Sequence, residues 1–177
     1  MKKIIIVFAL AAILATGTAF ADHPDGWGVG IVGGYYGGWE GGGYPHFGLS
    51  LKVPDLPIFW GINLNISSYY FGLGVTGDYY FIDKILAPDI NLHWFLGVGG
   101  WVNLGIWNTG NKDGGVAFGL GARVPIGLSW QLDLGGSPLT FLEIFLDVAP
   151  SLGVYIAPGF HFPAGGWPIE FGLRLWF

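Results

Sequence analysis

The sequence predicts an all-β fold: an eight-stranded antiparallel up-and-down transmembrane β-barrel, preceded by a cleavable signal peptide. Three observations carry that expectation. Charged residues make up only 11% of the chain, against 52% hydrophobic and 18% aromatic, whereas a soluble domain covers its exterior with about 25% charge. After the first 21 residues no stretch is long and apolar enough for a spanning helix, which needs roughly 20 such residues. Apolar and small-or-polar residues instead alternate with a period of two. A chain that is apolar overall without spanning helices has one solution in lipid, a closed barrel with every backbone group paired.

The leader comes first. Met1-Lys2-Lys3 precedes an apolar run from Ile4 to Leu14, and Ala19-Phe20-Ala21 follows. A basic start, a short apolar run and a small-x-small site are the parts of a secretory signal peptide. Cleavage after Ala21 leaves residues 22–177, or 177 − 21 = 156 residues, read as one domain. Losing Lys2 and Lys3 leaves 7 − 2 = 5 basic against 12 acidic residues, a formal charge of −7. That balance excludes nucleic acid as a partner, whose binding needs clustered Lys and Arg. The chain has no cysteine, so no disulfide framework supports it.

The strands follow in order. Trp27 to Tyr36 opens the series, with Trp27, Val29, Ile31 and Tyr35 opposite mostly glycine. In His46 to Val53 and in Trp60 to Ser67, large apolar residues oppose His, Gly, Ser, Lys and Asn. Past Ser67-Ser68 the parity flips, and Phe71, Leu73 and Val75 oppose Gly72, Gly74, Thr76 and Asp78. Ile90 to Gly99 alternates with Phe95 as an exception on the polar side. Val116 to Val124, Leu142 to Val148 and Ile169 to Phe177 complete eight. Pro54-Asp55-Leu56-Pro57 and Gly135-Gly136-Ser137-Pro138 read as turns. Gly37 to Gly43 and Asn108 to Gly115 read as glycine-rich loops. The connections at Ile82 to Asp89 and around Ser129 to Pro138 look as long as these, so loop length does not orient the barrel. An even strand count puts both termini in the periplasm.

Energetics assign the faces. Lys52, Asp78, Arg123, Glu143, Asp147, Glu170 and Arg174 all fall on the small/polar side of their strands. An Arg or Lys facing lipid at mid-depth costs about 2–4 kcal/mol, so the polar face lines the lumen. An eight-stranded barrel is just wide enough for side chains to fill, and charges buried there must be paired. These seven residues are therefore expected to form a lumen charge network. Its blander form is a salt-bridge plug, and its sharper form an ion or proton path gated by breakable pairs.

The alternation Ile169, Phe171, Leu173, Leu175, ending in Phe177, resembles the terminal strand of small eight-stranded bacterial outer-membrane barrels of the OmpA-transmembrane-domain and OmpX-like group. In such proteins the barrel-assembly machinery reads that strand, so the resemblance implies an assembly signal at these five residues. It also implies assembly machinery, periplasmic chaperones and outer-membrane lipid as partners, and the bacterial outer membrane as location. Thr76-Gly77-Asp78-Tyr79-Tyr80, Ala122-Arg123-Val124-Pro125-Ile126-Gly127 and Ala149-Pro150-Ser151 also look like an uncharacterised family of such barrels, which brings no activity with it.

The expected role is structural or surface-interaction, with at most a narrow gated ion path and with neither enzyme activity nor cofactor. The alternative is a lipid-modifying enzyme, an acyl hydrolase or transferase. Its candidates are His93 with Asp78, and Ser67 or Ser68 at the adjoining turn, yet no Gly-x-Ser-x-Gly or His-x-Ser motif supplies an activated nucleophile. Two Gly-x-Gly-x-x-Gly matches, at Gly28 and Gly72, lack the following helix that phosphate binding requires. His46 and His161 stand alone, without a second ligand at metal-site spacing, and Asp22-His23-Pro24-Asp25 reads as an acidic leader. Trp27, Tyr35, Tyr36, Tyr44, Trp60, Tyr69, Tyr79, Trp101, Trp107 and Trp167 read as interfacial girdles, with carbohydrate stacking by Trp39 and Tyr44 a minor alternative.

Overall fold

The computed structural model describes residues 20–21, 26–39, 43–67, 70–107, 114–136, 138–156 and 159–177. Residues 1–19, Ser68, Tyr69 and the 22–25 leader fall outside these, as do the side chains of Ser67 and Trp107.

Alternation makes the strands, because a period-two sequence has one face to bury and one to expose. The antiparallel segments are β2 (Gly28–Gly38), β3 (Gly43–Lys52), β4 (Phe59–Ser67), β5 (Tyr70–Ala87), β6 (Leu92–Trp107), β7 (Gly115–Arg123), β8 (Ile126–Asp133), β9 (Phe141–Val148), β10 (Ser151–Ile156) and β11 (Phe160–Trp176). They close on themselves. From Gly28 the register runs across Lys52, Phe59, Asp78, Gly99, Arg123, Ser151 and Gly166, and returns to β2 at Gly38. No edge is left between first and last strand, the usual liability of an open sheet. A two-residue β1 (Phe20–Ala21) lies parallel to β5 at Ile82 and Asp83, beyond Asp78, where β4 stops covering it.

The segments number ten rather than eight because of two prolines. Pro has no N–H and interrupts a ladder. Pro125 separates β7 from β8, which both pair with β6; Pro150 separates β9 from β10, which both pair with β11. Hydrogen bonding still crosses each break. Gly97 N donates to Pro125 O at 2.8 Å, Val124 N to Pro150 O at 3.0 Å, and Ala149 N to Pro168 O at 2.9 Å.

The long connection expected at Ile82 to Asp89 is mostly strand, with β5 continuing to Ala87, and the one expected around Ser129 to Pro138 is strand as far as Asp133. The chain between β5 and β6 is one tight turn, Pro88–Asn91, with Asn91 N donating to Pro88 O at 3.1 Å and Asn91 in the left-handed region at φ 51°. The reason is a pair of bulges, between Tyr80 and Ile82 and between Ile85 and Ala87. Each shifts the side-chain parity and so conceals the alternation.

Inside and outside are opposite in character. Alternate residues such as Ile31, Phe47, Leu49, Phe118, Leu146 and Phe171 face outward, Ile31 at 61% and Phe171 at 52% exposure. Strand charges are buried, save Lys84 and Asp133 near the ends of β5 and β8. Ile169, Phe171, Leu173, Leu175 and Phe177 lie on the outward face of β11 and just beyond it.

Candidate functional site

The interior is a stack of side-chain layers between the end that carries the described chain termini and the opposite end. All seven sequence-predicted lumen residues are inside it, each between 1% and 6% exposed.

At the termini end Glu143 is the centre. Arg174 faces it directly in the β9–β11 register and donates from Nη1 to Oε2 at 2.6 Å; Trp176 Nε1 donates to the same oxygen at 2.7 Å, and Ser129 Oγ to Oε1 at 2.8 Å. Arg174 also reaches across β2 to Ser50, donating from Nε and Nη2 to Oγ at 3.2 and 2.8 Å. Glycine on β2 makes that crossing feasible, since a Cβ at Gly28 would sit 2.6 Å from Arg174 Cδ. The guanidinium lies over the rings of Phe59 at 4.8 Å and Phe145 at 4.7 Å, a cation–π arrangement that also desolvates it.

Around this pair an aromatic layer fills the cross-section. Phe59 and Tyr80 stack at 4.4 Å, Tyr80 and Phe95 at 4.4 Å, and Phe141 and Trp176 at 5.2 Å. Phe95 and Trp176 are each 1% exposed. Lys52 donates from Nζ to Val53 O at 2.9 Å and lies 5.9 Å from the Phe59 ring. Below this layer His93 contacts Asp83 Oδ1 through Nδ1 at 3.1 Å and Asn91 Oδ1 through Nε2 at 3.0 Å. The partner of His93 is thus Asp83 and not the expected Asp78, because Asp78 opposes Gly99 in the β5–β6 register and turns to Arg123.

Above the aromatics, Arg123 gathers three carboxylates. Its Nε is 3.2 Å from Asp78 Oδ1, its Nη2 bonds Glu170 Oε2, and the same nitrogen is 3.9 Å from Asp147 Oδ1. Glu170 and Asp147 oppose each other in register, so like charges meet across the sheet unless a cation stands between them. His46 stands on Glu170 Oε1 at 3.1 Å and is not the isolated residue it looked in the sequence. Sequence reasoning also missed Asp83, Ser50 and Ser129. Six of the seven predicted charges therefore form two clusters, Arg174 with Glu143 and Asp78, Asp147 and Glu170 about Arg123, while Lys52 lies at the aromatic layer.

The opposite end is hollow. A cavity of about 70 Å³ lies above Arg123 and Glu170, lined by Tyr36, Tyr44, Asn63, Asn65, Trp101, Asn103 and Tyr155 among others. Three of these correct the girdle assignment: Tyr36, Tyr44 and Trp101 point inward. They occupy the same parity as Gly34, His46 and Gly99 on their strands, so parity overrides the preference of aromatics for interfaces. Trp27, Tyr35, Trp60 and Trp167 do face outward. Trp39 is tied down by Nε1 donating to Ser151 O at 2.7 Å and by an edge contact with Trp167. Among the described residues no cluster of three or more His, Asp or Glu is placed to hold a metal ion.

No family model matches the chain, and no curated protein matches it. Among solved structures it is similar to that of Neisserial surface protein A (NspA), with a TM-score of 0.49, 14% sequence identity, and coverage of 85% of this chain and 97% of that one.

Proposed function

We propose that this chain is an eight-stranded barrel of a bacterial outer membrane, plugged at the termini end, with a structural or surface-interaction role. One observation carries the membrane assignment: the outward strand positions are largely apolar, while the strand charges are interior save Lys84 and Asp133 near the ends of β5 and β8. On β11 and just beyond it the outward apolar positions run from Trp167 to Phe177, ten residue rises, or about 33 Å along a strand.

The barrel geometry converts that length into a height. Counting β7 with β8 and β9 with β10 as single staves, as the hydrogen bonds across the prolines support, gives eight. The register walk displaces β2 from Gly28 to Gly38, a shear of ten. Strand rise and spacing then give a tilt of about 40°. The apolar band is therefore about 25 Å tall, the height of the lipid-facing band of known outer-membrane barrels. An even stave count keeps both termini in the periplasm, so the hollow end faces outward from the cell.

The aromatic layer and the two charge clusters support a plug over a conducting path. The test is fractionation of membranes from cells expressing the full chain, then SDS gels with and without boiling, then bilayer recording. A heat-modifiable outer-membrane band without stepwise conductance is expected. A soluble protein without a heat shift would overturn the membrane assignment, and regular conductance steps would overturn the plug.

A further inference from the structure

At the termini end, the β5–β6 turn is anchored by hydrogen bonds whose pattern dictates a protonation state. His93 is 3% and Asp83 0% exposed. His93 Nδ1 lies 3.1 Å from Asp83 Oδ1, and Nε2 lies 3.0 Å from Asn91 Oδ1. A carboxylate oxygen and an amide oxygen are both acceptors. The orientation of the amide is set from its other side, because Asn91 Nδ2 donates to Gln131 O at 3.2 Å and a backbone carbonyl only accepts. Each ring nitrogen therefore faces an acceptor. A neutral imidazole has one N–H and one lone pair and cannot serve both. The proton shared with Asp83 stays on the ring, the more basic partner.

The charged neighbours on the surrounding strands leave Asp83 as the counter-ion. On β8, Ser129 faces His93 in register and turns its hydroxyl to Glu143 Oε1. Glu143, on β9, is held through its other oxygen by Arg174 and Trp176 of β11, so its charge is compensated. Lys84, Asp89 and Asp133 are exposed, where solvent and salt screen them. Lys52 lies at the aromatic layer, against Phe59.

Asn91 joins this pair to β8. Besides its side-chain bond to Gln131 O, its own carbonyl accepts from Gln131 N at 3.2 Å, and Trp130 Nε1 donates to Ile90 O at 2.7 Å. With an imidazolium, both ends of the Asn91 amide are satisfied. Loss of the Nε2 proton sets a ring lone pair against Asn91 Oδ1, acceptor to acceptor. Turning Nδ2 toward the ring relieves that clash but points the amide oxygen at Gln131 O. One of the two contacts is lost whenever the ring is neutral. Asn91 is exposed, so solvent reaches this end of the bridge.

We propose that His93 is a pH-sensitive latch on the β5–β6 turn. As an imidazolium it bridges Asp83 to Asn91 and keeps the Asn91 side chain on Gln131. As a neutral ring it releases that side chain from β8.

The test uses the full purified protein in micelles, with nitrogens labelled and the His93, Asn91 and Gln131 resonances assigned through the backbone. At pH about 8 an ordinary histidine is neutral, and the same chain unfolded in urea supplies that reference. The folded protein should show two protonated His93 ring nitrogens at this pH. As the pH rises further, the Asn91 side-chain and Gln131 backbone nitrogen shifts should move with the same midpoint as the ring. Asp83→Asn removes the counter-ion, so its ring should already be neutral at pH about 8, with the Asn91 shift at its high-pH position. The unboiled gel band shows whether that variant is still a barrel, and the wild-type titration decides alone if it is not. A bare His93 ring nitrogen in the folded wild-type protein at that pH overturns the proposal. So does a ring that titrates without moving Asn91 and Gln131, or a folded Asp83→Asn protein that keeps the imidazolium.

Discussion

Arg123→Met tests the upper charge cluster. The guanidinium stands between Asp78, Glu170 and Asp147, and methionine keeps much of its length and apolar bulk while leaving three buried carboxylates facing one another. Removing one partner of a buried ion pair costs about 3–5 kcal/mol, mostly because the remaining charge is left uncompensated. With three such groups the upper part of that range is expected, a shift of about three powers of ten in the folding equilibrium. The second variant gives the reasoning its sign. Asp147→Asn should be mild alone, since its carboxylate is the most distant of the three from Arg123 and opposes Glu170 in register. Added to Arg123→Met it should restore about 1–3 kcal/mol, because it removes one of the stranded charges. The assay is urea unfolding in lipid vesicles followed by tryptophan fluorescence, with the unboiled gel band as a second readout. An Arg123→Met midpoint equal to wild type, or a double variant weaker than Arg123→Met alone, would refute the charge-cluster account.

Three further outcomes follow from the same layers. Ile31→Lys, on the outward face near the middle of the apolar band, should lower stability in vesicles by about 2–4 kcal/mol, read from the same urea curves. Gly172→Ala places a methyl on the Phe145 ring and 2.8 Å from Ile31 O, and this overpacking should cost about 1–3 kcal/mol, seen as a lower temperature for the gel-band shift. His93→Ala leaves Asp83 without its imidazole and should cost about 1–3 kcal/mol. The lipid composition of expressing membranes should not change, whereas a lipid-modifying enzyme would lose a product detectable by mass spectrometry.

Parity was the most informative feature of the sequence. It placed Lys52, Arg123, Glu170 and the other four charges on one face, and the structure buries all seven. It also marked Phe95 as a member of the polar side, though nothing local showed that it joins Phe59, Tyr80 and Trp176 in a layer. Where parity was set aside for a residue-type habit, as for Tyr36, Tyr44 and Trp101, the assignment failed. Where a bulge resets the parity, past Tyr80, the strand was lost, and with it the inward position of Asp83. Pro125 and Pro150 have the appearance of strand ends because local sequence cannot reveal that neighbouring carbonyls and amides carry the ladder across. The cavity was illegible for a different reason: Asn63 and Asn65 meet Asn103 only through a register three strands wide.

The most direct test of the barrel's membrane topology uses the absence of cysteine from the chain. Single cysteines at Phe47, Gly48, Leu49, Ser50, Ile169, Glu170, Phe171 and Gly172 would each carry an environment-sensitive fluorophore in vesicles containing lipid-borne quenchers. The account predicts strong quenching at Phe47, Leu49, Ile169 and Phe171, and weak quenching at the four residues between and beside them. Quenching without alternation, or strongest at Ser50 and Glu170, would contradict a lipid-facing apolar exterior around a charged lumen.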